Sequence, residues 1–550
     1  MLVLKRFIFI AVLFFSGAQI ALAQTEQYSW QHLPKVGSPA FKTDTFNIVN
    51  YGAKADGISL NTHSINKAIA DCSSKGGGVV LIPQGLWLTG PLVMQSNVNL
   101  YVSRSALVQF TDDKSQYPLV EGNYEGHAAV RNQSPISGTN LENIAITGDG
   151  IIDGHGEAWR AIGKDRLTDN EWKALTASGG VLSDNGKTWY PSQSYVDGLK
   201  TPDAGVIQPG KKLEDYAPMK DFFRPNMLVL TNCRKVLLQG VTFQNSPAWC
   251  LHTLMCEDLT LKGVHVKNQW NAQNGDGIDV ESCKNVLIEG STFETGDDGI
   301  CIKSGRDEEG RRRGKPTENV IVRNDVVYRA HGGFVIGSEM SGGARNIFVS
   351  DCTFIGTDVG LRFKTTRGRG GIVENIFIKN ISMRDIVTDA ILFDMYYMGK
   401  SPGEDSGTDD KAVPVTEATP QFRNFHVDNV VCIGAEKGLQ VRGLPEMNIK
   451  NIYLKNLILK TNQGMDIIEG TGISLKNVTL DCKETSPLIN IDNSNDISFD
   501  NITYPNAQTL FSVSGKKSTQ IKISNTDITK AVNKTVFKAG ADSNSLTIFK

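Results

Sequence analysis

One short pattern recurs twelve times along this 550-residue chain: an apolar residue, any residue, a second apolar residue, any residue, then Asn, Gly or Asp. The copies are IAITG from 144, VLLQG from 236, LTLKG from 259, VLIEG from 286, VIVRN from 320 and IFVSD from 347. IFIKN from 376, FHVDN from 425, IYLKN from 452, ISLKN from 473, ISFDN from 497 and IKISN from 521 complete the set. Between 236 and 376 the starts lie 23, 27, 34, 27 and 29 residues apart, and near the C-terminus 21, 24 and 24. Fixed strands with variable spacing suit coils whose turns differ in length. Each copy reads as a short alternating strand closed by a residue that tolerates left-handed backbone, which lets the chain bend and begin another strand. Such coils stack as parallel strands about 4.8 Å apart around one continuous core. The expectation is an all-β, single-stranded parallel β-helix.

A helical period across Ile65, Ala68, Ile69 and Cys72 predicts a helix capping the open N-terminal end of that core. The stretches 155–225 and 398–420 carry no copy of the pattern and read as insertions on a single domain, 24–550. Before it, Lys5 and Arg6, the apolar run from Phe7 to Phe15 and the Ala21-Leu22-Ala23 site predict a secretory signal peptide over 1–23. Export to a periplasm or the extracellular space is therefore expected, with no membrane span, since no later run reaches about 20 apolar residues. The net charge of -2 supplies no broad basic field for nucleic acid. Nine cysteines form no staple or zinc pattern. Cys233, Cys256 and Cys283 each precede a copy by three residues, so a stacked column of buried thiols is expected, with a disulfide inside it as the alternative.

Counting from the start of each copy aligns the coils. Position +11 is Asp297 in one coil and His331 in the next, which makes them neighbours. Matching GDGIDVE (275–281) with DDGICIK (297–303) sets Asp276 beside Asp298 and Glu281 beside Lys303; Gly337 and then Lys364 follow at the Lys303 level, with Arg362 two residues before Lys364. Strand alternation turns Ile300, Ile302 and Phe363 inward and Lys303, Arg362 and Lys364 outward. Three carboxylates, an imidazole and three cations thus share one outer strip. A ladder of ion pairs explains Glu281 and Lys303 as well as function does, but not three crowded aspartates, which raise at least one pKa among them. The Gly-Asp-Asp-Gly sequence at 296–299 suggests a backbone that turns between its two carboxylates.

Clustered carboxylates with one proton-sharing member suit glycosidic hydrolysis, and Arg362 with Lys364 suit a carboxylate on the substrate. In order along the chain stand NGD (274–276), GDD (296–298), AHGG (330–333) and RFK (362–364). In these motifs the chain resembles glycoside hydrolase family 28, the polygalacturonases and their pectin-cleaving relatives, over about 44–400 and more loosely in the C-terminal coils. Ala330 stands where that family usually has Gly. The resemblance implies a right-handed, pectin-lyase-like solenoid and an inverting hydrolysis with no metal and no cofactor. By it, Asp297 is the general acid, Asp276 and Asp298 hold and activate water, and His331 tunes the acid. Arg362 and Lys364 grip the substrate carboxylate and Tyr397 lines a subsite, with Tyr396 a rival to it; Lys303, placed on the same strip by register, is a further substrate-binding candidate.

The expected substrate is a pectic polysaccharide or oligogalacturonide, and the expected enzyme a monomer. Exo action is expected because IKSGRDEEGRRRG (302–314) and IGSEMSGG (336–343) resemble chain-end-trimming members, and the 155–225 insertion would wall off one end of a groove. Arg306 or the run Arg311-Arg312-Arg313 would add anion contacts there, or else form a solvated charge run. The alternatives are a rhamnogalacturonan hydrolase, a calcium-dependent pectate lyase and a non-catalytic glycan-binding β-helix.

Overall fold

The computed structural model describes residues 28–398 and 411–549. The signal-peptide region and most of the 398–420 insertion lie outside them. Residues 28–33 form a small turn closed between Ser29 and His32. From Pro34 onward the chain winds into a right-handed parallel β-helix, whose strands collect into two long sheets of 23 and 14 strands.

The twelve repeat copies fall in one unbroken register. Ile144 lies opposite Val236, and the line continues through Leu259, Val286, Val320, Ile347, Ile376, Phe425, Ile452, Ile473 and Ile497 to Ile521. No first or third residue of any copy exceeds 2% exposure. Coils beginning at Val98 and Leu546 join the same stack although neither ends in Asn, Gly or Asp, and so the pattern passed over them.

Every copy ends on a left-handed residue, from Gly148 (φ 113°) to Asn525 (φ 49°). The residue just before each copy is left-handed too, as at Asn285, Asn319 and Asn346. Two such corners bracket each strand, and the second one was not apparent in the pattern. Asn is used there because its amide finds partners in the adjacent coils: Asn319 donates to Asn285 at 3.1 Å and Asn346 to Asn319 at 3.2 Å. On the other corner Asn380 donates to Asp351 at 2.9 Å and accepts from Asn429 at 2.8 Å. The side chain thus ties successive coils together at a position where most L-residues are strained.

The capping helix spans Thr62–Ser74 and buries Ile65, Ala68, Ile69 and Cys72 completely. All nine cysteines are buried free thiols. The Cys256 N–H approaches the Cys283 sulfur at 3.3 Å, so the expected column forms without a disulfide. The 155–225 insertion folds into helices over Asp169–Ala177 and Gln193–Lys200 and a three-stranded antiparallel sheet. Thr168 and Glu171 close a capping box on the first helix. A hairpin of Leu119–Tyr124 and His127–Asn132 completes this decoration, joining Val130 to Ala204, Tyr216 and Phe223 in a small second core. The described residues include no helix long and apolar enough to cross a membrane.

The corner residues give a graded test at Asn380 (φ 55°). Asn380→Gly keeps the backbone and loses only the ladder bonds, about 1 kcal/mol. Asn380→Val adds left-handed strain of about 1–2 kcal/mol. Guanidinium unfolding should therefore rank wild type above Gly above Val, and equal losses for Gly and Val would refute the strain account.

Candidate active site

The outer strip lies on the 14-stranded sheet and is assembled one coil at a time. Asp276 ends the loop before Ile278–Glu281, and Asp297 with Asp298 lead into Ile300–Lys303. His331 precedes Gly332–Ile336, and Arg362 and Lys364 close Val359–Lys364. The pairing Ile278 with Ile300, Phe334 and Leu361 is the one deduced from the sequence. Oxygens of Asp276, Asp297 and Asp298 lie within 4.8 Å of one another. The His331 ring reaches Asp297 at 3.1 Å through Nδ1, and its backbone N–H donates to the Asp297 carbonyl at 3.0 Å. Asp298 accepts from Lys364 Nζ at 2.7 Å and from Arg362 Nη1 at 3.1 Å. The Tyr397 ring stands 4.8 Å from Lys364 Nζ and 5.8 Å from Arg362. Tyr396 instead lies under Arg367, at 5.9 Å.

The aspartate pair is shaped by local bonds. Thr295 Oγ1 donates to the Asp297 carbonyl at 2.7 Å, and the Asp298 N–H donates to the Asp297 carboxylate at 2.9 Å. The flanking glycines serve a different purpose from a turn, since neither Gly296 nor Gly299 has a positive φ. A Cβ on Gly296 would fall 2.5 Å from the Gln269 carbonyl, and one on Gly299 would fall 2.4 Å from Val327. Neighbouring chain presses so closely here that only glycine fits.

Lys303 and Glu281 are level, as counted, yet they do not pair. Lys303 bonds Glu339 at 2.8 Å, approaches Asp279 at 3.6 Å and sits 4.7 Å from the Trp249 ring. Glu281 accepts from Arg313 at 2.5 Å and meets His252 Nε2 at 2.9 Å. All these side chains point outward from their coils and are nonetheless buried or nearly so, because the hairpin lies over them. Tyr124 stacks on Trp249 at 5.5 Å, the Ala128 N–H donates to Glu309 at 3.0 Å, and the Arg306 N–H donates to the Gly126 carbonyl at 3.2 Å. Burial favours short, exclusive pairs over a solvated ladder. The arginine run is likewise committed to structure: Arg313 holds Glu281 and Arg311 donates to the carbonyls of Gly368 and Arg369, while Arg312 is exposed. Arg306 faces Glu125 and Asp307.

The site also contains groups that the sequence reading did not single out. Asp279 is wholly buried with neither carboxylate oxygen hydrogen-bonded to protein. Alternation between Ile278 and Val280 already placed it on the strip. Tyr124 and Glu339 had no such signal, since both come from segments outside the repeat.

Electrostatics separates carboxylates that look alike. Burial, reinforced by Asp279 and Asp297, pushes the Asp276 pKa well up, and burial does the same to Asp279. For Asp298 burial acts in the same sense but is outweighed by Lys364, Arg362 and Lys303, so its pKa falls below the usual range. The bond to Asp297 raises the pKa of His331 against the effect of burial. Folded Asp276 therefore keeps a proton that the unfolded chain loses near pH 4. The associated stability is complete below that pH and is lost as pH rises through the folded value. Asp298 behaves oppositely: its stabilisation is present above the unfolded pKa and fades only as strong acid passes its depressed one. Asp276→Asn should stabilise the fold at pH 7 by about 1–2 kcal/mol, with the gain closing below about pH 4. Asp298→Asn should cost about 3–5 kcal/mol at pH 7 by stranding the buried Lys364 and the half-buried Arg362. Unfolding titrations across pH measure both, and shifts of the same sign would contradict this assignment.

Comparison with known proteins places this geometry. The model of glycosyl hydrolases family 28 matches residues 166–429. A probable polygalacturonase of Vitis vinifera is 28% identical over 425 residues, covering 75% of this chain and 74% of its own. An exo-poly-alpha-D-galacturonosidase of Dickeya chrysanthemi is 27% identical over 441 residues, covering 78% and 68%. The crystal structure of a hyperthermoactive exopolygalacturonase from Thermotoga maritima superposes with a TM-score of 0.64 at 29% identity, covering 81% of this chain and 93% of that one. With its four motifs converging on one carboxylate cluster, the chain matches glycosyl hydrolases family 28 over residues 166–429 and is a glycoside hydrolase.

Proposed function

We propose that this enzyme hydrolyses the α-1,4-galacturonosidic bonds of polygalacturonate and its oligomers from a chain end, after export to the periplasm or beyond. The observation that carries the reading is the convergence of Asp276, Asp297 and Asp298 within 4.8 Å, with His331 bonded to Asp297. Asp297 donates its proton to the glycosidic oxygen as the bond to the anomeric carbon breaks. A water held by Asp276 and Asp298 attacks that carbon and gives up a proton. Once ionised, above its own raised pKa, Asp276 is the better acceptor, because that pKa lies above the one of Asp298, which Lys364 and Arg362 hold as a weak base. The raised pKa of His331 keeps an imidazolium beside Asp297 to higher pH than a free imidazole would allow, which favours release of the Asp297 proton to the leaving oxygen.

Arg362, Lys364 and Tyr397 stand on one side of the cluster, where an anionic sugar would meet two cations and a ring. Lys303 contributes by holding Asp279 and Glu339 in place. Two cations bonded to Asp298 also weigh against a divalent ion among the aspartates, and so against a calcium-dependent lyase. End-on action is supported by the hairpin, which covers the strip from the N-terminal side through Tyr124 and Trp249. The exo names of the Dickeya and Thermotoga relatives agree with it.

A product profile on polygalacturonate and on rhamnogalacturonan tests the reading. Monomer alone at early times, from polygalacturonate only, is the expected result. A ladder of oligomers would remove the exo assignment, and preference for rhamnogalacturonan would replace the substrate. Asp297→Asn should lower kcat by at least about a hundredfold without loss of fold.

Stereochemistry supplies a sharper test. The oxygens lie closer than the roughly 6.5–9.5 Å usual between the carboxyls of inverting enzymes. We attribute this to Asp276 and Asp298 sharing one water, with neither acting as nucleophile. Proton NMR of the first product should show the β-anomer, and initial α-anomer would establish a covalent route.

A further inference from the structure

We propose that Trp270 and Arg166 form an additional sugar-binding subsite beside the general acid, built jointly by the catalytic loop and the 155–225 insertion; the inference rests on the galacturonan reading above. Among the tryptophans between 34 and 549, Trp87, Trp159, Trp172, Trp189 and Trp249 are at most 8% exposed, whereas Trp270 is 56% exposed. An exposed indole offers a flat apolar face on which a ligand ring can stack.

Its position is fixed and close to the chemistry. Trp270 lies on the loop that ends at Asp276, and its neighbours press against the residue before Asp297: a Cβ on Gly296 would fall 2.5 Å from the Gln269 carbonyl and 2.6 Å from the Ala272 nitrogen. Asn268 anchors the loop, donating to the Gly275 carbonyl at 3.0 Å and accepting from the Ser246 N–H at 2.9 Å. The indole is therefore an exposed ring on a braced loop.

Arg166 supplies the second half. Its guanidinium lies 4.6 Å from the centre of the Trp270 ring, and its side chain remains 42% exposed. The nearby Asp165 carboxylate is 3.4 Å from Nε, which leaves the guanidinium NH₂ groups for another anion. The small insertion sheet holds Arg166 in place, with the Lys164 N–H donating to the Lys187 carbonyl at 2.8 Å. One face of the indole thus carries a cation, and the rest of the ring is open to water. A galacturonate residue matches both features. The C–H groups on one side of a galacto-configured ring can stack on an indole, and the carboxylate can pair with guanidinium. A bound guanidinium also offsets the negative π-face that would otherwise repel an anionic sugar.

The test uses the full chain with Trp270→Ala and Arg166→Gln, both exposed substitutions that should leave the fold intact by thermal melting. On polygalacturonate, Trp270→Ala should raise KM about tenfold and Arg166→Gln about threefold, with the loss falling on KM more than on kcat. In an Asp297→Asn background, tetragalacturonate should quench tryptophan emission saturably, and the quench should vanish with Trp270→Ala. Methyl-esterified tetragalacturonate should keep the Trp270 dependence and lose the Arg166 dependence. Wild-type cleavage with unchanged KM and an unchanged quench in the Trp270 variant would overturn the subsite alone, leaving the pair as a latch between insertion and loop. A wild-type enzyme inert on galacturonan would overturn both readings.

Discussion

Parallel coils stack about 4.8 Å apart, and every other property of this protein follows from that spacing. A side chain on the outer face meets its register mates at close range, whatever their separation in sequence. Asp298 and Lys364 are 66 residues apart in sequence yet hydrogen-bonded at 2.7 Å, because only one coil separates the strands that carry them and the long lysine side chain reaches across it. The spacing also forbids indifference: like charges repel along a column, and opposite charges become partners. The left-handed corners keep the columns aligned, since a coil without them could not return to the same level.

This explains what was legible in the sequence. The line from Ile144 to Ile521 was readable because the inward positions recur with an invariant chemistry. The contact between Asp297 and His331 followed from counting, since loop lengths cancel when two coils are measured from the same strand. Asp279 obeyed the same rule and could have been found by it. Counting gives level, however, and not partner. Glu281 and Lys303 are level but separate, because the segments that choose their partners lie outside the repeat: helix Asp307–Arg313 brings Arg313, and the turn after Ile336 brings Glu339. The hairpin from 119 to 132 had no periodic signature, and the burial of the strip depends on it. The glycines around the aspartate pair show a related limit. Their presence signalled a backbone constraint, but only coordinates distinguish close approach from a left-handed turn.

The order of the coils also divides the chemistry. Asp276 and Asp298 are the same residue type on adjacent levels, yet their proton affinities move in opposite directions. The cations explain it. Arg362 and Lys364 arise two coils beyond Asp298, on the side away from Asp276, and both end on Asp298. The coil on the other side of Asp276 offers His252 and Trp249, and His252 is already engaged by Glu281. Asp276 is left among carboxylates with only Lys303 working against burial, so its pKa rises, while Asp298 is held as an anion. The division of labour proposed for the two aspartates, one taking a proton and the other staying charged, thus rests on which coil carries the cations, with no change in the residues themselves.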